Sequence, residues 1–375
     1  MSSSVLSFAL RLVGLGLLSA ALSCSTGTSG PVGAESGPVA TVASLEPGAR
    51  PSVFTALREA PVESGRVIHV SAAAGPDGDG SERHPLDSIA EALERAQPGD
   101  TVAVGRGTYR TASLKTVRGG RADAPIRIRG RGARIVGEDD GRLVQILHDH
   151  VIFQGFDVTG ADILVWVFDV TGARILGNHL KDALAECVRL KYFARGNEVA
   201  GNRIEGCGRK GFDLDKDDKN GEAVYIGTAP EQLDRNPTDD PDASSGNWIH
   251  DNVMSVPAEC VDVKEGATGN VVEHNTCTGS RDPEGAGFSS RAESTTFLYN
   301  VSTGHVGAGL RLGGDDSDEG MLNHVVGNRL VDNGGYGIKI ERYPQGVICE
   351  NELQGNHAGP MNSDEGLAVP GCNRD

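Results

Sequence analysis

Glu186-Cys-Val-Arg-Leu-Lys191, Glu222-Ala-Val-Tyr-Ile-Gly227 and Glu259-Cys-Val-Asp-Val-Lys264 are one six-residue pattern read three times. It continues, altered, as Ala286-Gly-Phe-Ser-Ser-Arg291, Ala308-Gly-Leu-Arg-Leu-Gly313 and Tyr336-Gly-Ile-Lys-Ile-Glu341. Each copy sets two apolar residues at alternate positions, the mark of a short strand with one face buried. Turn-rich stretches separate the copies. Self-similarity at this period predicts an all-β solenoid whose turns stack on one another. Residues at one position of successive turns then lie about 4.8 Å apart. Glu186, Glu222 and Glu259 would form one column, and Lys264 and Arg291 would be neighbours in another.

A second element repeats with the first: Gly177-Asn-His-Leu180, Gly201-Asn-Arg-Ile204, Asp251-Asn-Val-Met254, His274-Asn-Thr-Cys277, Tyr299-Asn-Val-Ser302, Gly327-Asn-Arg-Leu330 and Glu350-Asn-Glu-Leu353. Its asparagine tolerates left-handed backbone, and its amide can bond the turns above and below. One double gap holds Thr228 to Gly246, a proline- and aspartate-rich insertion suited to form a wall over the strands. Ahead of the repeats, Asp87-Ser-Ile-Ala-Glu-Ala-Leu-Glu-Arg-Ala96 has helical spacing with Asp87 as N-cap, and predicts a helix capping the open end of the solenoid.

The composition suits stacked strands: 52 glycines for corners and only 5% aromatics. A net charge of −17 argues against nucleic acid as a partner. It also requires that any polyanionic ligand meet locally gathered cations or a bound metal. Residues 1–24 read as a secretory signal, apolar from Val5 to Leu22, with Cys24 after a small residue as in lipid-anchored proteins. Residues 25–63 are rich in Ser, Gly, Ala, Pro and Thr and read as a flexible stalk. Residues 64–375 form the folded domain, expected to act as a monomer, secreted or held at the cell envelope through Cys24. Six further cysteines fit export. Cys187 with Cys207, Cys260 with Cys277 and Cys349 with Cys372 are each about one turn apart, so sequential pairing is expected, although six cysteines allow fifteen connectivities.

Strand alternation turns Val188, Leu190, Val224, Ile226, Val261, Val263, Leu310, Leu312, Ile338 and Ile340 inward. Arg189, Lys191, Tyr225, Asp262, Lys264, Arg291, Arg311 and Lys339 then share one solvent-facing side, a local reversal of sign. The stacked glutamates repel unless a metal or the nearby lysines neutralise them. Asp213-Leu-Asp-Lys-Asp-Asp-Lys-Asn220 offers hard oxygen ligands of the kind calcium prefers, without being an EF-hand. Asp315, Asp316, Asp318 and Glu319 read as a surface loop, and most of the ten scattered histidines as surface or cap residues.

Residues 100–355 resemble polysaccharide lyase family six, the chondroitinase B and alginate lyase group of the pectate-lyase-like superfamily. Gly99-Asp-Thr-Val-Ala-Val-Gly-Arg-Gly-Thr-Tyr109 is similar to that group's opening turn, and Asn220-Gly-Glu-Ala-Val-Tyr-Ile-Gly227 to its first site strand. Glu259-Cys-Val-Asp-Val-Lys264 resembles the strand carrying a calcium-ligating glutamate and the catalytic lysine, and Ser289-Ser-Arg291 falls where the catalytic arginine stands. Pro257, Glu265 and Tyr225 depart from the pattern, replacing a glutamate ligand, a serine and an arginine.

The resemblance implies a single-stranded right-handed parallel β-helix and β-elimination on a uronic-acid-containing polysaccharide. Lys264 would be the base, Arg291 would stabilise the carboxylate, and Glu222, Glu259 and Asn220 would hold Ca2+. Tyr225, Arg311, Lys191 and Lys339 would line the groove. A lysine base needs a lowered pKa, which Arg291 and a bound cation would favour. Two hydrolytic or epimerising alternatives fit less well: Gly304-His-Val306 lacks the last glycine of the polygalacturonase element, and Asp282-Pro-Glu284 lacks the histidine of alginate epimerases. The rival of a different class is a non-catalytic carbohydrate-binding or surface-scaffold β-helix.

Overall fold

The apolar pairs of the six-residue pattern can be buried only if each short strand lies on its neighbours, and that is how the chain is built. The computed structural model describes residues 65–138, 140–314 and 318–362. Ten parallel strands form one sheet, one strand per turn: Leu114–Lys115, Arg142–Ile146, Ile163–Phe168, Val188–Lys191, Val224–Ile226, Val261–Val263, Ala286–Ser290, Ala308–Leu312, Tyr336–Ile340 and Gly359–Met361. A sheet of eighteen strands supplies the other faces. Its short strands pair as two parallel runs, one from Arg174–Leu176 through Glu198–Ala200 and Trp248–His250, the other from His179–Lys181 through Arg203–Glu205 and Val253–Ser255.

The register within the ten-stranded sheet is the one the repeats spell out. Val188 pairs with Val224, Val224 with Val261, Val261 with Phe288, Phe288 with Leu310 and Leu310 with Ile338. All ten inward aliphatics named above are buried in the solenoid core. Each fully buried Val, Leu or Ile contributes about 1.5–3 kcal/mol, so the stack of small residues replaces the few large anchors of an ordinary core.

The asparagines form a continuous ladder. Asn178 N donates to Asn202 Oδ1 at 2.9 Å, Asn202 N to Asn252 Oδ1 at 2.9 Å, Asn252 N to Asn275 Oδ1 at 3.0 Å, and the chain of bonds runs on through Asn300 and Asn328 to Asn351. Asn202 bonds Asn252 directly, so the double gap is one turn with its insertions looped outward. The left-handed residue is not the asparagine but the one before it: Gly177, Gly201, Asp251, His274, Tyr299, Gly327 and Glu350 all have φ between 52° and 68°. At Gly327 no other residue fits, since a Cβ would lie 2.4 Å from the Tyr299 ring. A second ladder, Asn197 to Asn247 to Asn270, runs along another corner.

The helix expected near the N-terminal end spans Ile89–Arg95, with Ile89, Ala92 and Leu93 buried. Its N-cap is Ser88 rather than Asp87, because the Ser88 hydroxyl accepts from Glu91 N at 3.3 Å. Disulfides join Cys187 to Cys207 and Cys260 to Cys277, as sequential pairing requires. Such bonds belong to an extracytoplasmic compartment. Cys372, Cys24, residues 1–63, Asp315 and Asp316 lie outside the described residues.

Candidate active site

Two outward columns meet on the ten-stranded sheet. Arg189, Tyr225, Asp262, Ser289, Arg311 and Lys339 are partners in register from turn to turn. The second column follows from backbone bonds: Gly227 N to Leu190 O at 2.8 Å, Lys264 N to Ile226 O at 2.9 Å and Arg291 N to Val263 O at 2.8 Å. Lys191, Gly227, Lys264 and Arg291 therefore succeed one another. The columns floor a cleft of about 540 Å³. Lys219, Asn220, Glu222, Glu259, Asp282 and Glu284 line it from segments preceding the strands, and Ala229, Glu231 and Gln232 from the Thr228 to Gly246 insertion, which is the wall expected of it.

Of the residues read as groove-lining, Tyr225, Arg311 and Lys339 face this cleft and Lys191 does not. The columns are also not the solvated surface that alternation suggested: Arg189, Lys191, Tyr225, Asp262 and Lys264 are buried. Long side chains repeated at turn spacing cover one another, and the insertions cover them further. For Arg189, Asp262 and Lys264 burial is tolerable because charges are matched. Arg189 pairs with Glu186 and lies 3.9 Å over the Tyr225 ring, whose other neighbour is Lys264 Nζ at 4.8 Å. Arg291 is 3.6 Å from Glu265, while Arg311 and Lys339 share Glu341, the latter at 2.8 Å.

Lys264 Nζ lies 2.6 Å from Asp262 Oδ2. Burial works against the Lys264 ammonium, yet Asp262 outweighs it and holds the lysine well above its ordinary value, the reverse of the lowered pKa that Arg291 and a bound cation were expected to favour. Burial likewise raises Asp262, but Lys264 and Arg291 pull it below the usual carboxylate range. Tyr225 is pushed up to about 12, chiefly by burial.

Glu222 and Glu259 meet Asp262 rather than Glu186, with one oxygen of each within 4.8 Å of the others. Burial first, then Glu186, Asp262 and Glu259, pushes Glu222 up to about 8; burial and then Asp262 push Glu259 up to about 7. Asp262 Oδ1 is buried with no hydrogen-bond partner among the described residues. Three hard oxygen donors, two of them pushed toward protonation and one with an orphaned atom, fit a calcium-like cation. Asn220 lines the same cleft, its amide donating to Asp218 Oδ1 at 3.0 Å. The Asp213–Asn220 segment is no second cation loop. It folds as a hairpin whose lysines take up its own and neighbouring carboxylates, Lys216 to Asp213 at 2.6 Å and Lys219 to Asp282 at 3.1 Å.

Two functional groups escaped the sequence reading. Asp262 was placed on the outer face but not with the glutamates, although a residue two before Lys264 on a strand shares its face. Asp242 lies in the insertion, where no repeat gives a register. Its buried carboxylate accepts from Tyr192 N at 2.7 Å, Phe193 N at 2.9 Å, Thr228 Oγ1 at 2.6 Å and Ser244 Oγ at 2.7 Å, tying the wall to the strand ends. His250 and His305 are buried, contrary to the surface reading, and burial pushes His305 down to about 4.

No family profile matches the chain, and no curated protein matches it by sequence. Its fold has clear counterparts. An alginate lyase from Paenibacillus sp. str. FPU-7 superposes with a TM-score of 0.64 at 18% identity, over 79% of this chain and 97% of that one. Pectate lyase Pel9A gives 0.57 at 14% identity, over 84% and 82%. ORF18 of Geobacillus virus E2 gives 0.58 at 13% identity, over 79% and 59%. At these identities the likeness establishes the architecture, a right-handed parallel β-helix of pectate-lyase-like fold.

Proposed function

We propose that this pectate-lyase-like β-helix is an exported polysaccharide lyase that cleaves a uronic-acid-containing polymer by β-elimination, acting as a monomer and anchored through Cys24. The observation that carries the proposal is the pairing of Lys264 and Arg291 on adjacent turns of the cleft floor, next to a cluster of carboxylates. The two lyases among the structural counterparts support the same reading. The carbon beside a uronate carboxylate holds the proton to be removed. Lys264 as the free amine takes it, a double bond forms to the next carbon, and the glycosidic oxygen there leaves and is protonated by water. Arg291 faces the substrate carboxylate and stabilises the enediolate charge. Tyr225, Arg311 and Lys339 orient the sugars. Glu222, Glu259 and Asp262 would hold calcium, which when bound would supply positive charge beside the substrate carboxylate and compete with Lys264 for the Asp262 carboxylate.

A second reading, glycan binding without cleavage, is favoured by one observation: Asp262 holds Lys264 charged. One assay separates the two. The chain is incubated with alginate, dermatan, pectate and glucuronan, with and without calcium, and the ultraviolet absorbance of unsaturated uronate is followed. The lyase reading expects a rise with at least one polymer, abolished in Lys264→Ala. Binding without any rise favours the second reading and overturns the first.

A further inference from the structure

Beyond the cleft, on the turns that precede it, the same outward face carries three cations beside two carboxylates, Glu186 and Asp242. Arg142 comes from the strand Arg142–Ile146, and Arg189 and Lys191 from Val188–Lys191. Trp166 stands between them. The Arg142 guanidinium lies 3.6 Å from its ring centre and Lys191 Nζ 5.8 Å from it. Glu186 is committed to Arg189. Asp242, the other acid near Lys191, already accepts four hydrogen bonds. Neither Arg142 nor Lys191 has an ion-pair partner among the described residues. The Arg189 side chain is only 9% exposed, yet its Nε and Nη2 are buried without a hydrogen-bond partner.

Such a cluster is self-repelling. Burial, and then Arg189, lowers both Arg142 and Lys191, the lysine to about 8. Gly227 stands between Lys191 and Lys264 in the column; it is buried, and with φ of 89° and Ala267 and Lys264 at 3.2 and 3.4 Å from where a Cβ would lie, it has no room for a side chain. Two turns, about 10 Å, separate the two lysines.

We propose that Arg142 and Lys191, with the buried charge of Arg189 behind them, form an anion subsite that takes the carboxylate of a second uronate on the chain whose reacting sugar lies at Lys264. This rests on the reading of the cleft as a uronate-polymer site and adds to it a requirement for charge at a distance from the reacting bond. The Arg142 guanidinium, exposed and resting on an indole face, can swing onto a carboxylate at little cost, and Lys191 supplies the fixed charge beneath it.

The test is calorimetric binding of calcium-free alginate and pectate to the full chain at low salt. Arg142→Ala and Lys191→Gln are each expected to weaken binding about tenfold and to flatten its salt dependence. Arg131→Ala, which removes one exposed charge from the other sheet, is expected to leave it unchanged. Arg142→Gln replaces the alanine variant if that one fails to fold by circular dichroism. If the wild-type chain binds a polyuronate and both subsite variants bind it as tightly, the subsite is overturned and the cleft reading stands. Failure of the wild-type chain to bind or cleave any uronate polymer overturns the cleft reading and the subsite with it.

Discussion

Lys264 Nζ lies 2.6 Å from Asp262 Oδ2, while the other oxygen of that carboxylate, Oδ1, is buried without a hydrogen-bond partner among the described residues and belongs to a cluster with Glu222 and Glu259. One carboxylate therefore serves two neighbours. Bound to the lysine, it keeps the ammonium charged; under the proposed function, a cation shared by Asp262, Glu222 and Glu259 would weaken that hold and so link the charge state of the base to occupancy of the cluster.

Removing one member of this buried pair is expected to be severe. Asp262→Ala strands the Lys264 ammonium and should destabilise the fold by about 3–5 kcal/mol, measured by urea denaturation. The double variant Asp262→Leu with Lys264→Met removes both charges and should recover most of that loss. A single variant as stable as the wild type would show that water reaches the pair and that its burial carries no energetic weight.

Glu222 and Glu259 give stability a pH dependence of unusual sign. Their pKa values of about 8 and about 7 lie above the unfolded value of about 4.3, so the native state binds more protons than the unfolded chain. Their contribution is fully present below about pH 4.3 and is lost progressively from there up to about pH 7 for Glu259 and about pH 8 for Glu222, by up to about 1.4 kcal/mol per pH unit for each group. Glu222→Gln should gain on the wild type steadily across that window. Calcium at millimolar concentration should raise Tm more at pH 8 than at pH 5, because it favours the ionised cluster. Equal shifts at both pH values would count against cation binding there.

The parts of the molecule that were legible in the sequence are those the stacking repeats. Register follows from Glu186, Glu222 and Glu259, and the ladder from seven asparagines, because a solenoid makes sequence period and spatial period the same. What repeats do not encode was misread. The left-handed position is one residue before each asparagine, since the side chain reaches its neighbour only from an extended backbone. The polarity of the Lys264 environment depends on Asp262, two residues away on the same face, and pairwise distance rather than period decides it. Asp242 lies in a unique insertion with nothing to align it to.

The ladder itself can be probed at Asn252. Its amide donates to Val199 O at 2.9 Å and Asn275 Oδ1 at 2.9 Å, and its oxygen accepts from Asn202 N at 2.9 Å. Asn252→Ala removes the acceptor of the buried Asn202 N, at about 1–3 kcal/mol. Asn351→Ala, at the less buried end of the ladder, should cost distinctly less. Equal losses in chemical denaturation at the two positions would mean that the ladder bonds do not share a common buried environment.

Asp242 holds the cleft wall against strained backbone. Tyr192 and Phe193 are consecutive aromatic residues with φ of 55° and 62°, a conformation that costs roughly 1–2 kcal/mol per residue outside glycine. Two successive amides in this geometry form an anion-binding concavity, and the Asp242 carboxylate fills it while also gripping Thr228 and Ser244. An amide side chain cannot do the same, because its NH2 would face donors. Asp242→Asn should therefore loosen the segment from Thr228 to Gly246 and speed trypsin cleavage after the exposed Arg235 by about tenfold through local opening. Polymer affinity should fall as well, because Glu231 and Gln232 would leave the cleft. Trypsin cleavage and affinity both matching the wild type would show that the wall is held by its own packing and that the carboxylate merely caps a turn.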